Sequence, residues 1–183
     1  MNPAGGAYII LPYKEVVTDL RPTSKKLIDK HAMNDSTQLV TFTLDNCKFA
    51  LPLPQVERIV NVVEITPLPK APEIVIGIVN IQGRIIPVVD IRKRFRLPKR
   101  EMNLNDKIIL SQTSKRSVGI MVDSVVGVIE YPKQEVIIPE KILPGIEYIE
   151  GVAKLEGGLT LIHNIDSFLS LEEEKTLERW MVQ

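Results

Sequence analysis

Three aspartates stand directly after predicted β-strands, where side chains from distant parts of a chain can converge on one site. They are Asp90, Asp123 and Asp166. Neighbouring carboxylates could act as general acid and base, or as ligands of a metal ion. The alternative is that each carboxylate caps the turn that follows its strand, and the turns after Asp90 and Asp123 favour that interpretation.

Other nucleophilic and metal-binding residues are few. The chain has two histidines, His31 in a polar N-terminal region and His163 within a predicted strand, and one cysteine, Cys47, at a turn. No His/Cys pair has the spacing of a zinc site, and the glycines of residues 151–158 precede a strand, unlike those of a phosphate-binding loop. We therefore expect no catalytic residues, no metal and no cofactor, with an aspartate-based hydrolase as the alternative.

The composition restricts the classes of partner. Lys plus Arg and Asp plus Glu both total 23, so the formal net charge is zero, and aromatic residues make up only 5% of the chain. Binding of nucleic acid needs a basic face and, for single strands, stacking aromatic rings, so we expect no nucleic-acid partner. With one cysteine, no recognisable signal peptide and no apolar run that could cross a bilayer, we expect a cytoplasmic location without direct membrane insertion.

One segment concentrates positive charge. Its basic residues are Arg92, Lys93, Arg94, Arg96, Lys99 and Arg100. We interpret them as a solvated face, with a docking patch for an acidic partner as the alternative.

The chain is organised around the phrase from Gly77 to Arg92, which reads Gly-Ile-Val-Asn-Ile-Gln-Gly-Arg-Ile-Ile-Pro-Val-Val-Asp-Ile-Arg. Its pattern predicts a hairpin that reverses at Gln82 and Gly83, because glycine takes the positive φ of a tight turn without steric cost. Asp90 would then be the N-cap of a short helical turn.

The same phrase recurs later in the chain, at residues 151–165, and the segment 49–60 likewise recurs at 118–129. Matched residues include Gly77 with Gly151, Gly83 with Gly157, Ile85 with Leu159, and Val56 with Val125. Two matches in the same order and at nearly equal offsets indicate that one β unit was built twice.

Short strands separated by turns are typical of barrels and sandwiches. We therefore predict an all-β fold of two tandem five-stranded barrels, at about residues 37–100 and 101–170. Residues 1–36 are mixed and polar, and we expect a flexible extension. The capping box that begins at Ser170, followed by Leu171, Leu177, Trp180 and Met181, predicts a C-terminal helix over residues 171–183.

Together these motifs resemble those of the CheW family of chemotaxis coupling proteins. The resemblance extends from Gln38 to Leu177 and depends on the hairpin phrase, on Val118-Gly-Ile-Met-Val-Asp-Ser124, and on Gly151 with the closing segment Leu161 to Ser170. It implies two SH3-like barrels packed on a shared apolar interface. It also implies an adaptor without catalytic activity, which links the cytoplasmic tips of chemoreceptors to a CheA-type histidine kinase.

The resemblance further implies that the kinase regulatory domain has the same fold as this chain. The chain would be a monomer alone and would join ring assemblies within receptor arrays. A CheW-like adaptor of a non-flagellar pathway, such as surface motility, is the alternative within the same class.

By position, the resemblance assigns Leu53 and Arg58 to the kinase contact. The residues that it assigns to the receptor groove are Val56, Asn80, Gln82, Gly83, Gly119, Val125 and Val128. Val125 and Val128 could instead be core residues. Two positions depart from the family pattern, since Gln82 stands where Arg is usual and Arg58 where an acidic residue is frequent. Gln lacks the charge and the fork of Arg, so we expect an altered set of partners.

Overall fold

The computed structural model describes residues 36–138, 148–155 and 158–181. The strands are β1 Ser36–Leu44, β2 Cys47–Pro52, β3 Val56–Asn61, β4 Val75–Ile81, β5 Arg84–Val89, β6 Lys107–Gln112, β7 Ser117–Val122, β8 Ser124–Pro132, β9 Ile149–Leu155 and β10 Gly158–His163. The helices are α1 Ile91–Arg94 and α2 Leu171–Met181. The predicted all-β fold with a C-terminal helix is therefore confirmed. The predicted flexible extension lies outside the described residues, apart from Ser36, which begins β1.

No helix in the described ranges combines the length and the hydrophobicity that crossing a bilayer requires.

The strands form two five-stranded sheets. Sheet 1 has the order β8-β1-β2-β10-β9, and sheet 2 has the order β3-β6-β7-β5-β4. Paired strands are antiparallel, except that β10 with β2 and β5 with β7 are parallel. If β1 to β5 are matched with β6 to β10, the order of one sheet becomes the order of the other. The topology thus contains the duplication that the sequence predicted.

The sheets do not follow the predicted division of the chain near residue 100. Sheet 1 combines β1 and β2 of the first repeat with β8, β9 and β10 of the second, and sheet 2 takes the remaining strands. The first crossing follows β2, where Pro52 and Pro54 lack amide donors and the 3-10 turn Leu53–Gln55 leads the chain away from sheet 1. This corrects the expectation that each five-stranded unit comes from one half of the chain.

Buried apolar side chains form three clusters. The shared core draws on both sheets and on α2, with Phe42 from sheet 1, Ile59 from sheet 2 and Leu177 from the helix. The sheet-1 core consists of Leu39, Ala50, Ile129, Tyr131, Ala153 and Ile162. The sheet-2 core consists of Val79, Ile86, Val88, Ile108, Leu110 and Met121. Because side chains alternate along a strand, β1 places Leu39 in the sheet-1 core and its neighbour Val40 in the shared core.

Two matched glycines, Gly77 in β4 and Gly151 in β9, allow an earlier part of the chain to cross each sheet edge. A Cβ at Gly77 would overlap the carbonyl oxygen of Thr66, and a Cβ at Gly151 would overlap the side chain of Val136. An isolated β-bridge forms next to each glycine, Thr66 with Ile78 and Ile137 with Val152. The duplicated glycines therefore perform the same task in both repeats.

The capping box that starts α2 is confirmed. The amide of Ser170 donates to Oε2 of Glu173 at 2.7 Å, and the amide of Glu173 donates to Oγ of Ser170 at 3.3 Å. Leu177 is fully buried, but Leu171 is 74% exposed. Six residues of α-helix rotate a side chain to about 120° from its starting direction, so the two leucines lie on different faces.

Candidate interaction surface

The turn between β4 and β5 presents polar groups to solvent. Gln82 and Gly83 have φ values of 53° and 83°, as a two-residue hairpin turn of type I′ requires. The amide of Gly83 donates to Oδ1 of Asn80 at 2.9 Å, which fixes the turn. All three residues are exposed, and nothing lies within 4 Å of the position that a Cβ of Gly83 would take. The turn therefore offers neutral amide groups on a defined backbone.

Leu53 and Val125 are partly buried and pack against the shared core. Leu53 starts the 3-10 turn between β2 and β3, and Val125 lies at the start of β8. Both positions therefore lie where the chain passes from one sheet to the other. Among the apolar residues that the resemblance assigns to a partner contact, these two have side chains that are still partly exposed.

Three other assigned residues are buried. Val56 is 6% exposed and Val128 is 7% exposed, and both belong to the shared core. Gly119 in β7 faces the sheet-2 core, where an added Cβ would lie 2.8 Å from Cγ2 of Ile108. These residues have little surface to offer, so their influence on a partner would act through packing. Of the two valines left open by the sequence, Val128 is a core residue and Val125 is intermediate.

An ion pair that the sequence did not predict spans one end of sheet 2. The guanidinium of Arg84 donates to both carboxylate oxygens of Glu57, at 2.5 and 3.1 Å, and to Oγ of Ser117 at 2.5 Å. Ser117 in turn donates to Oε1 of Gln112 at 2.8 Å. Glu57 lies in a β-bulge between Val56 and Arg58, which directs its side chain away from the regular alternation of β3.

Arg58 follows this bulge and is partly exposed. Within the described ranges it makes no ion pair. Its charge therefore remains available to a partner.

The basic segment is a solvated face only in part. Arg96 and Lys99 are exposed, whereas the interpretation is corrected for the arginines that form ion pairs, Arg92, Arg94 and Arg100. The side chain of Arg92 is only 6% exposed and forms ion pairs with Asp45 at 2.9 Å and Asp123 at 2.5 Å. Arg100 pairs with Asp106 at 2.7 Å and with Asp123 at 2.6 Å. Arg94 pairs with Glu173 of α2; this pair is 2.5 Å apart. The folded chain brings carboxylates from distant segments to these arginines, so Arg96 and Lys99 are the residues of the run that are exposed without an ion pair in the described part of the chain.

Each of the three strand-end aspartates serves the fold. Asp90 accepts from the amide of Arg92 at 3.0 Å and caps α1. Asp166 accepts from the amide of Ser114 at 2.7 Å. Partial burial alone would raise the pKa of Asp123, but hydrogen bonds from Arg92 and Arg100 outweigh burial and hold the pKa below its ordinary value. A carboxylate held in this way is a poor general base.

No cluster of His, Cys, Asp or Glu suited to a metal ion occurs in the part of the chain that the structure describes.

His163 is fully buried among aromatic rings. The centres of the Phe95, Phe49 and Phe168 rings lie 4.7, 5.4 and 5.6 Å from the centre of the imidazole. Nδ1 lies 3.1 Å from the carbonyl oxygen of Tyr148. Burial lowers the pKa of His163 from 6.5 to about 4, so the ring is neutral and packs as part of the interior.

Comparison with known proteins assigns this architecture. The family model of the CheW-like domain matches residues 38–173. The chain belongs to the CheW-like family. It is 31% identical over 153 residues to the chemotaxis protein CheW of Treponema pallidum, with 80% of this chain and 90% of that protein covered. It is 28% identical over 148 residues to CheW of Rhizobium meliloti, with 80% and 96% covered.

A solved CheW structure has the same fold. The crystal structure of the scaffolding protein CheW of Thermoanaerobacter tengcongensis superposes with a TM-score of 0.69 at 29% sequence identity. The match covers 75% of this chain and 94% of that one. The CheW-like domain therefore accounts for both sheets. The two relatives are named chemotaxis proteins, and the protein of the solved structure is named a scaffolding protein.

Proposed function

We propose that this CheW-like chain is a chemotaxis adaptor that couples chemoreceptor tips to a CheA-type histidine kinase and catalyses no reaction itself. The observation that carries the proposal is the family match over residues 38–173, on a fold whose aspartates are engaged in caps and ion pairs. Its place of work would be the cytoplasmic side of receptor arrays, where adaptor and kinase domains of one fold can assemble in rings.

The kinase contact is proposed at Leu53 and Arg58. Leu53 combines an apolar side chain that is partly exposed with firm support from the shared core. Such anchors contribute most of the affinity at protein interfaces. Arg58 would add a charge that is unpaired within the described residues and that affects mainly the rate of association.

The receptor contact is proposed along the turn between β4 and β5 and along the chain crossing between β7 and β8. Asn80, Gln82, Gly83 and Val125 are the assigned residues with exposed atoms. Val56, Gly119 and Val128 are assigned to the same contact and would support it from the core. A helical receptor tip placed in such a groove gains affinity from a few side-chain anchors.

The kinase assignment is tested by replacing Leu53 with Glu and measuring binding to the purified kinase regulatory domain by titration calorimetry. We expect the dissociation constant to rise by at least about tenfold, because a carboxylate would be placed on an apolar contact. The matched control is Leu104→Glu, the same change at a leucine that is 90% exposed. Circular dichroism checks folding, and Leu53→Ala, which adds no charge, serves as the second variant.

Normal kinase binding by folded Leu53→Glu would remove the interface assignment. A native chain that binds neither a receptor-tip fragment nor the kinase domain would contradict the adaptor function as a whole.

A further inference from the structure

The ion pair of Glu57 and Arg84 reaches across one end of sheet 2, from β3 to β5, and also contacts Ser117 at the start of β7. The side chains of Arg84 and Glu57 are 51% and 32% exposed, so the pair lies at the surface. A guanidinium has more N–H groups than these contacts use. Arg84 is therefore held in one orientation and retains donors for another molecule.

The internal duplication shows that the fold does not need this ion pair. In the matched segments, Glu57 corresponds to Val126 and Arg84 to Gly158. Val126 occupies the equivalent bulge of β8, opposite the junction of Thr41 and Phe42, so the same bulge forms without the charges. An exposed ion pair also contributes little to stability. The pair is thus better explained by recognition than by folding.

The charges at this end of sheet 2 favour an anionic partner group. Glu57 is the acidic side chain bound to Arg84, and the neighbouring Arg58 adds a positive charge without an ion-pair partner in the described ranges. The adjacent turn residue is the neutral Gln82. The positively charged side chain nearest the turn is therefore Arg84, which directly follows Gly83 at the start of β5 and is oriented by Glu57 and Ser117.

We propose that Arg84, positioned by Glu57 and Ser117, binds a carboxylate side chain on the helical tip of the chemoreceptor. The inference depends on the proposed adaptor function and specifies how its receptor contact recognises the receptor. Arg84 directly follows the turn of Gln82 and Gly83, so a receptor helix on that turn lies within reach of a long arginine side chain. Paired arginine and carboxylate groups give geometric specificity in addition to attraction.

The test compares binding of the full chain and of Arg84→Gln to a purified receptor-tip fragment by surface plasmon resonance. At about 50 mM salt, we expect the dissociation constant of Arg84→Gln to rise about tenfold, and at about 500 mM salt we expect less than a threefold difference. The matched control is Lys99→Gln, which removes an exposed positive charge that has no ion-pair partner in the described residues, and it should bind as the native chain does. Binding of both variants to the kinase domain should be unchanged.

Two results would overturn the inference while the adaptor function stands: equal receptor affinity of Arg84→Gln and the native chain at low salt, or an equal loss in Lys99→Gln. Failure of the native chain to bind the receptor fragment would instead count against the proposed function. A thermal melt of Arg84→Gln within a few degrees of the native chain would show that the variant is folded, as the sister sheet leads us to expect.

Discussion

The buried imidazole of His163 should make stability depend on pH. Burial lowers the pKa of His163 from 6.5 to about 4 in the folded chain, and unfolding restores the ordinary value. Below pH 6.5 the unfolded chain therefore binds a proton that the folded chain excludes. The contribution is fully present above that pH and is lost as the pH falls towards 4, because protons favour the state with the higher pKa.

The size of the effect follows from the two pKa values. A difference of one in pKa corresponds to about 1.4 kcal/mol, so the interval from 6.5 to about 4 gives a maximum of about 3 kcal/mol. At about pH 5.2 the loss is about 1.8 kcal/mol. The carboxyls whose pKa the fold lowers, Asp123 and Glu173, have ordinary values of 3.8 and 4.5, so they act mainly at lower pH. The choice of about pH 5.2 therefore isolates the histidine.

Urea unfolding at about pH 7.2 and at about pH 5.2 measures this loss directly. The native chain and the control His31→Gln should each lose about 1.7 kcal/mol between the two conditions, whereas His163→Phe should lose less than about 0.5 kcal/mol. Any effect of the new ring on absolute stability cancels, because the quantity compared is the difference between two pH values. A loss in His163→Phe as large as that of the native chain would refute the reasoning.

Three further predictions concern stability. Arg92→Met should lower the free energy of unfolding by about 1 to 3 kcal/mol, because it leaves Asp45 without its cation and Asp123 with Arg100 alone. Lys99→Met should change it by less than about 0.5 kcal/mol in the same denaturant titration. Gly77→Ala should lower the melting temperature much more than Gly83→Ala, since only the first change meets backbone atoms; equal shifts would contradict this. A chain split after Arg100 should give two fragments that are unfolded when separate and that form the two sheets when mixed, because each sheet contains strands from both fragments. A dispersed NMR spectrum of either fragment alone would contradict this prediction.

Features set by neighbouring residues could be predicted from the sequence. The positive φ of Gly83, the cap of α1 by Asp90 and the capping box at Ser170 each depend on residues a few positions apart. Their chemistry is local, so the order of residues is sufficient to identify them. The duplication was also visible, because matched glycines such as Gly77 and Gly151 perform the same steric task in both repeats.

Long-range partners could not be predicted. The two repeats have the same pattern of strands. The pattern therefore cannot show whether β2, which pairs with β1 on one side, pairs on its other side with a strand of its own repeat or, as in the structure, with β10 of the other repeat. The ion pair of Arg92 with Asp123 joins segments 31 residues apart, and nothing in a run of basic residues shows which of them will meet a carboxylate. The burial of Gly119 likewise depends on Ile108 and Val88 of neighbouring strands, which the resemblance that assigned it to the receptor contact does not reveal.

The exchange of strands between sheets bears on how an adaptor holds two partners. The shared core contains side chains of both sheets, and both chain crossings lie beside it, at Leu53 and at Val125. Separating the sheets would therefore require loss of the apolar burial in the shared core. Separating the two repeats would also rupture the ladders that each repeat makes with the other inside both sheets. Asp123, which precedes the second crossing, is tied to Arg92 and Arg100 in addition. A kinase domain at Leu53 and a receptor tip at Val125 would thus be bound to one rigid body, so that a change in the position of one partner changes the position of the other.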